Sequence, residues 1–283
     1  MDIKAYAKIN LGLDVIRRRE DGYHEVRMIM QNIGLYDELT INKKDEAGIE
    51  ILVDSCELPT NEDNLIYKAA KLLFDRFDIR EGVTVNLRKN IPIAAGLAGG
   101  STDAAATLIG INEIFDLKLS KEELMELSVK IGADVPYCIL GGTAIAEGIG
   151  EILTPITSCP NCFVLIAKPP VGVSTPHVYK SLKLDEIVHP DIDAIISGIE
   201  NKDIRTVADN LGNVLESVTI KEHPEIADIK NMMTDNGAMA SLMSGSGPTV
   251  FGLFDNEVDA NKCKAVIEDS GIAKDVVLTD MRQ

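Results

Sequence analysis

Positive charge is scarce in this sequence. Against 45 aspartates and glutamates stand 28 lysines and arginines, a net charge of −17 at neutral pH over 283 residues. A chain this acidic repels a phosphate backbone, which argues against a nucleic-acid partner and against docking on an anionic membrane. Cations around any anionic ligand must then be local. Long apolar runs are also missing, and none approaches the roughly 20 residues of a membrane-spanning helix. The opening stretch, MDIKAYAKINLGL, carries a lysine and an asparagine inside its first apolar run, unlike a secretory leader. The five cysteines are few, odd in number and scattered, so they outline no disulfide framework, and a reducing cytoplasm is the expected compartment. No internal repeat or low-complexity tract interrupts the chain.

What is present is an ordinary globular composition, 45% hydrophobic and 26% charged, long enough for one large domain or two medium ones. The first half alternates between strand and helix patterns. Strands are expected over 5–15, 26–32, 38–42 and 49–53, with a charged turn at 17–22. Helical spacing covers 64–77, where Leu65, Ala69, Leu72 and Leu73 share a face. A short strand at 83–87 precedes the glycines, and a helix is expected over 103–115. Ser120 and Glu123 fit a capping box opening a third helix that ends near Gly132. A strand pair over 141–154 runs into the proline-bearing connector 154–161. The domain boundary is placed there, giving residues 1–157 and 158–283. The second half reads as α+β, with strands at 163–167, 240–243, 249–254 and 275–279. Its helices are expected over 191–200, 203–215, 225–236 and 257–270.

The chemistry concentrates in IPIAAGLAGGSTDAA, residues 91–105. A phosphate loop needs backbone N–H groups converging on an anion, and side chains would block that approach. A following helix adds its own N-terminal N–H groups and dipole. Pro92, Ile93, Ala94, Ala95, Gly96, Leu97, Ala98, Gly99, Gly100, Ser101 and Thr102 supply such a cradle. Ser101, Thr102 and Asp103 stand where an N-cap is expected, and a hydroxyl there can reach a phosphate or a magnesium ion. No Lys-Ser or Lys-Thr follows the last glycine, so this is not a Walker A loop. The spacing is not that of a dinucleotide fingerprint, and the His-Arg-Asp and Asp-Phe-Gly signatures of protein kinases are missing. The plainer alternative is a tight strand-to-helix turn.

Two residues join this loop. Lys8 sits inside an apolar alternating strand, where a lysine is costly unless paired or functional, although a solvent-facing lysine is the commoner case. Asp134, in IGADVPYCILGG, lies in an otherwise apolar stretch, where a turn or N-cap aspartate is the plain reading. Together they match the needs of phosphoryl transfer: a donor cradle, a base for the acceptor hydroxyl, and a cation on the developing charge. Asp134 could take the hydroxyl proton, while Lys8 could hold Asp134 ionised and stabilise the acceptor oxygen.

These motifs, with the Gly245-Ser246-Gly247 loop in MSGSGPTVFGLF, resemble the GHMP family of small-molecule kinases. The resemblance implies a two-domain α+β fold, with a ribosomal protein S5 domain 2-like N-terminal domain, a ferredoxin-like C-terminal domain and the active site in the cleft between them. It implies ATP as phosphoryl donor with Mg²⁺, and it names no protein metal ligand. Asn10 would orient the acceptor. RRREDGYHEVRMIMQ further resembles the branch whose acceptor bears a cytidine diphosphate. There Tyr23 and His24 would meet the pyrimidine, and Tyr179 in STPHVYKSL would form a second aromatic wall. The reaction implied is phosphorylation of the 2-hydroxyl of a cytidine-diphosphate-linked methylerythritol in non-mevalonate isoprenoid biosynthesis, by a monomer or homodimer. Homoserine or mevalonate kinase activity, or a non-catalytic nucleotide sensor on the same fold, are the alternatives. Lys8, Arg17, Arg18, Arg19, Arg88 and Lys89 are the local cations available, with Arg18 and Arg19 more simply read as a solvated turn. Cys159-Pro-Asn-Cys162 lacks two further ligands for zinc and precedes a strand where a redox pair would open a helix.

Overall fold

A computed structural model describes residues 1–54 and 58–282, so Cys56 lies outside the described residues. The chain forms two compact units with interleaved segments. The first comprises Met1–Ala7, Leu35–Ile93 and Ala98–Gly141, and the second comprises Lys8–Gly34, Ala94–Leu97 and the chain from Gly142 onward. Two long strands, β1 (Asp2–Arg18) and β2 (His24–Lys44), contribute residues to both. The expected strands at 26–32 and 38–42 are thus one strand. Residues 7–15 of β1 are buried without a break, so Lys8, Asn10 and Asp14 enter the interior beside their apolar neighbours.

In the first unit, β3 (Gly48–Val53), α1 (Leu65–Phe77) and β4 (Gly82–Arg88) form a parallel crossover, and the strand order is β3-β4-β2-β1. Asn64 caps α1, its side chain accepting from the Ile66 N–H. Helices α2 (Gly99–Ile114), α3 (Lys121–Ser128) and α4 (Val135–Leu140) complete the unit. The core joins Leu39, Ile41, Val83 and Val85 to Ala69, Leu73, Ala105 and Leu108. Gly110 lets α2 lie close to the sheet, because a Cβ there would collide with Ile41 Cδ1. The capping box of Ser120 and Glu123 is present, with both of its hydrogen bonds formed.

The second unit holds two sheets. One has the order β8-β1-β2-β5-β6, with β5 (Thr143–Gly148), β6 (Ile152–Pro155) and the short β8 (Gly212–Asn213), which runs parallel to β1. The other is antiparallel: β7 (Phe163–Lys168), β9 (Ala240–Met243), β10 (Val250–Phe254) and β11 (Asp275–Asp280) in the order β11-β7-β10-β9, the ferredoxin-like arrangement. Its helices are α5 (Thr175–Ser181), α6 (Ile192–Glu200), α7 (Ile204–Asp209), α8 (Glu216–Glu222), α9 (Glu225–Asp235) and α10 (Glu257–Ser270).

Three sequence expectations are corrected. The helix expected over 203–215 stops at Asp209, because Gly212–Asn213 pairs with β1 and that tertiary ladder overrides local propensity. The third helix, expected to end near Gly132, ends at Ser128 and continues to Ile131 only as turns. The helix expected from residue 103 starts at Gly99, and its N-cap is Ala98 in the left-handed region, φ 58°, with no side-chain cap. Ser101, Thr102 and Asp103 are therefore inside the helix. Helices α4, α5 and α8 were not expected, since six or seven residues are too few to show a 3.6-residue period.

Candidate active site

The glycine run is shared between the units. Pro92 and Ile93 end the strand side, and Ala98, Gly99, Gly100, Ser101 and Thr102 begin α2, all in the first unit. Ala94, Ala95, Gly96 and Leu97 belong to the second. Three residues here take positive φ: Ala94 (50°), Gly96 (72°) and Ala98 (58°). Two alanines in that region are uncommon and mark a backbone held in shape by its surroundings. Because no side chain caps α2, the N–H groups of its first turn remain for another acceptor. Ser101 is half-buried, whereas Thr102 is buried and its N–H already bonds Ala98 O at 2.9 Å. Ser101 is thus the hydroxyl open to a ligand.

Beneath this helix lies a buried charge cluster. Lys89 Nζ donates to Asp37 Oδ2 and, at 2.9 Å, to Asp103 Oδ2. Asp37 Oδ1 also accepts the N–H groups of Asn90 (2.6 Å) and Ile91 (2.8 Å). A Cβ on Gly99 would stand 2.9 Å from Lys89 Nζ, so the ammonium lies directly under the first residue of α2. Asp103 Oδ1 is buried with no hydrogen-bond partner. Burial, opposed by Lys89 and reinforced by Asp37, pushes the Asp103 carboxyl up to about 8. Asp134, half-buried, occupies the N-cap position of α4 without capping it.

In the second unit, three segments converge on Lys8. Its backbone N–H bonds Leu97 O at 3.1 Å, and its buried ammonium donates to Asn10 Oδ1 at 2.7 Å. The turn between β9 and β10 brings in Gly245, Ser246 and Gly247, all buried. A Cβ on Gly245 would lie 3.6 Å from Lys8 Nζ. Ser244 Oγ donates to Gly96 O at 3.0 Å, and a Cβ on Gly96 would collide with Ser244 O. Asn213 Nδ2 holds the turn through Met243 O and Gly245 O, both at 2.8 Å. The turn is a hairpin connection between antiparallel strands, and it is also packed on Gly96 and Lys8.

Tyr179, distant in sequence from Tyr23 and His24, falls in the same unit as both. The His24 and Tyr179 rings lie 5.4 Å apart at 38°. Burial first, then the charge of Arg18, lowers the His24 pKa, which favours a neutral imidazole able both to donate and to accept. Tyr23 is exposed in the turn preceding β2. On α5, Thr175 Oγ1 lies 2.7 Å from Ser246 Oγ, one helical turn from Tyr179. Most of the expected local cations are spent on carboxylates: Arg17 on Glu25, Arg19 on Asp21, Arg88 on Glu38, and Lys89 as above. Sequence reasoning missed Lys168, buried at the end of β7, although an apolar strand around a lysine is the same signal that marked Lys8. Cys159 and Cys162 are buried, and burial raises both thiols, Cys159 to about 12, far from a reactive thiolate. Among the described residues, no three His, Cys, Asp or Glu side chains gather as a metal site. No described helix is long and apolar enough to cross a membrane.

Known proteins match along the whole length. The model of the GHMP kinases N terminal domain matches residues 64–142, and that of GHMP kinases C terminal matches residues 195–273. The chain is 57% identical over 263 residues to a 4-diphosphocytidyl-2-C-methyl-D-erythritol kinase of Lachnoclostridium phytofermentans, covering 93% of this chain and 90% of the relative. The enzyme of that name from Geobacillus thermodenitrificans is 52% identical, with 91% and 89% covered. Among solved structures, a 4-(cytidine 5'-diphospho)-2C-methyl-D-erythritol kinase superposes with a TM-score of 0.86 at 30% identity over the full length of both chains. A homoserine kinase from Cytophaga hutchinsonii superposes at 0.78 with 21% identity, over 100% of this chain and 95% of the other, a likeness of fold.

Proposed function

The chain belongs to the GHMP kinase family of ATP-dependent phosphotransferases, and we propose that its acceptor is 4-diphosphocytidyl-2-C-methyl-D-erythritol, phosphorylated on the 2-hydroxyl in non-mevalonate isoprenoid biosynthesis. The observation that carries the choice of acceptor is the His24–Tyr179 ring pair. Homoserine and mevalonate offer no base to such a pair, whereas a cytosine can stack on Tyr179 and bond the edge of a neutral His24. Tyr23, exposed and next to His24 in the chain, meets the side of the pyrimidine. The names of relatives above 50% identity point the same way.

In this reading the uncapped start of α2 and the segment from Pro92 to Ala98 hold the ATP phosphates on backbone N–H groups. The Gly245-Ser246-Gly247 turn lies against the acceptor side of that loop. Lys8 stabilises the acceptor oxygen, Asn10 fixes the direction of the lysine through its 2.7 Å hydrogen bond, and Asp134 takes the hydroxyl proton. A magnesium ion bound with the nucleotide would supply positive charge against its phosphates. With no three-carboxylate cluster among the described residues, the half-buried hydroxyl of Ser101 is the side-chain oxygen that fits the ion. The reading keeps the division at residues 157 and 158, supported by the two family matches falling on either side. It sets the reaction in the cytoplasm, where ATP and a cytidine nucleotide are available, with the protein a monomer or homodimer.

Purified protein given ATP, Mg²⁺ and diphosphocytidyl-methylerythritol, mevalonate or homoserine in parallel tests the reading. ADP release with the first acceptor alone is the expected result. Turnover of mevalonate or homoserine in its place would overturn the cytidine pocket.

A further inference from the structure

Lys168 and Thr249 stand together without adequate partners. The β7–β10 ladder pairs Ala167 with Val250, and one residue further the same register sets Lys168 against Thr249. Opposed residues of an antiparallel pair share a face. Thr249 O accepts from Ser244 N at 2.9 Å, so Ser244 extends the row across β9, and Asp275 extends it across β11. Asp275, Lys168, Thr249 and Ser244 therefore form one polar row at one end of the sheet. The Ser244 end of that row touches the phosphate loop, through Ser244 Oγ to Gly96 O at 3.0 Å.

The row is under-satisfied. Lys168 is 8% exposed, and its ammonium makes one long hydrogen bond, 3.4 Å, to the carbonyl of its own neighbour Pro169. No ion pair to Lys168 occurs among the described residues, and the Asp275 carboxylate opposite is not within bridging distance. Thr249 is fully buried, and its hydroxyl has no partner. A buried ammonium is costly unless an anion meets it, and orphaned buried groups are rare enough to require a cause. An oxyanion with several lone pairs would satisfy both donors at once.

We propose that Lys168 and Thr249 form a phosphate-binding subsite beside the Ser244–Gly96 contact. Its ligand is a phosphate oxygen of a bound substrate, from the diphosphate of the acceptor or from ATP. The subsite deepens the kinase reading and rests on it for those two sources. Lys168 supplies the cation that the acidic chain otherwise spends: of the cations read from the sequence, Arg17, Arg19, Arg88 and Lys89 are tied to carboxylates. Chain direction fits as well, since Lys168 leads into α5, whose Thr175 meets Ser246 and whose Tyr179 meets His24.

Lys168→Met keeps the length of the side chain and removes its charge. Calorimetric titration with ATP, CDP and inorganic triphosphate, each alone and at fixed ionic strength, reads the subsite without turnover. A wrong acceptor assignment would therefore leave this test standing. The expected result is a Tm equal to or above that of the wild type, with at least tenfold weaker binding of one nucleotide. Loss confined to CDP assigns the subsite to the acceptor diphosphate, and loss with ATP and triphosphate assigns it to the donor. Unchanged affinity for all three probes, or a lowered Tm with unchanged affinity, overturns the proposal. Should Lys168→Met fail to fold, Thr249→Val removes the second donor at constant shape. A threefold or greater loss for the same probe is then expected, and unaltered binding refutes the subsite.

Discussion

Asp103→Asn should make the protein more stable at alkaline pH while leaving it nearly unchanged in acid. Asp103 shares Lys89 with Asp37, and Asp37 is the better supported of the two, taking the ammonium and two backbone N–H groups. One Asp103 oxygen has no partner at all. Desolvation and the neighbouring Asp37 hold the carboxyl up to about 8, against an ordinary value of 3.8. Between those two values the folded chain binds a proton that the unfolded chain has released. Stability therefore falls as pH rises through this window and levels off above about 8. The slope from this one group is at most ~1.4 kcal/mol per pH unit. Asparagine mimics the protonated acid, keeps an oxygen for Lys89 and has no slope of its own. From pH 6 to pH 8 the variant should thus gain up to about 2–3 kcal/mol on the wild type, several degrees in Tm for a chain of this size. Thermal unfolding of both proteins at half-unit steps from pH 5 to 9 measures it, and taking the difference cancels the repulsion of the other carboxylates. A gap that does not change with pH, or an asparagine variant that becomes less stable above pH 7, would mean that Asp103 is ionised and bound to Lys89 as a salt bridge.

The partner of Asp103 should behave oppositely. Asp37→Ala strips three donors of their acceptor in a buried place and should cost roughly 3–5 kcal/mol, read as a fall in the denaturation midpoint at constant slope. Asp134→Asn should lower kcat by about two to four orders of magnitude, with the ATP Kd little changed, if the carboxylate takes the hydroxyl proton. A near-normal kcat would return it to a turn residue. His24→Ala should raise the acceptor KM and leave the ATP KM alone, and an unmoved acceptor KM would remove the cytidine pocket. Gly96→Val meets both a φ of 72° and the carbonyl of Ser244, so it should weaken ATP binding by at least tenfold in titration.

The parts of this molecule that could be read from its sequence share one property: their signal is local. The Ser120–Glu123 box announces a helix start within four residues, and it is formed as expected. The glycine run and the buried Lys8 were visible for the same reason, since small residues and an ill-placed charge are conspicuous against their neighbours. What escaped depends on distant pairing. Residues 210–215 look helical until Gly212–Asn213 joins β1, and helix α2 begins four residues early, after Ala98 in the left-handed region. Lys89 looked like a cation for the ligand, and its charge is instead consumed by Asp37 and Asp103, which lie 52 and 14 residues away. Lys168 was the reverse case, a lysine in an apolar strand passed over because nothing in its neighbourhood suggested chemistry. The two lysines differ only in what tertiary structure places around them, and that difference decides function. A charge already neutralised can support a loop from below, whereas a buried charge still lacking its anion must wait for one to arrive with the substrate.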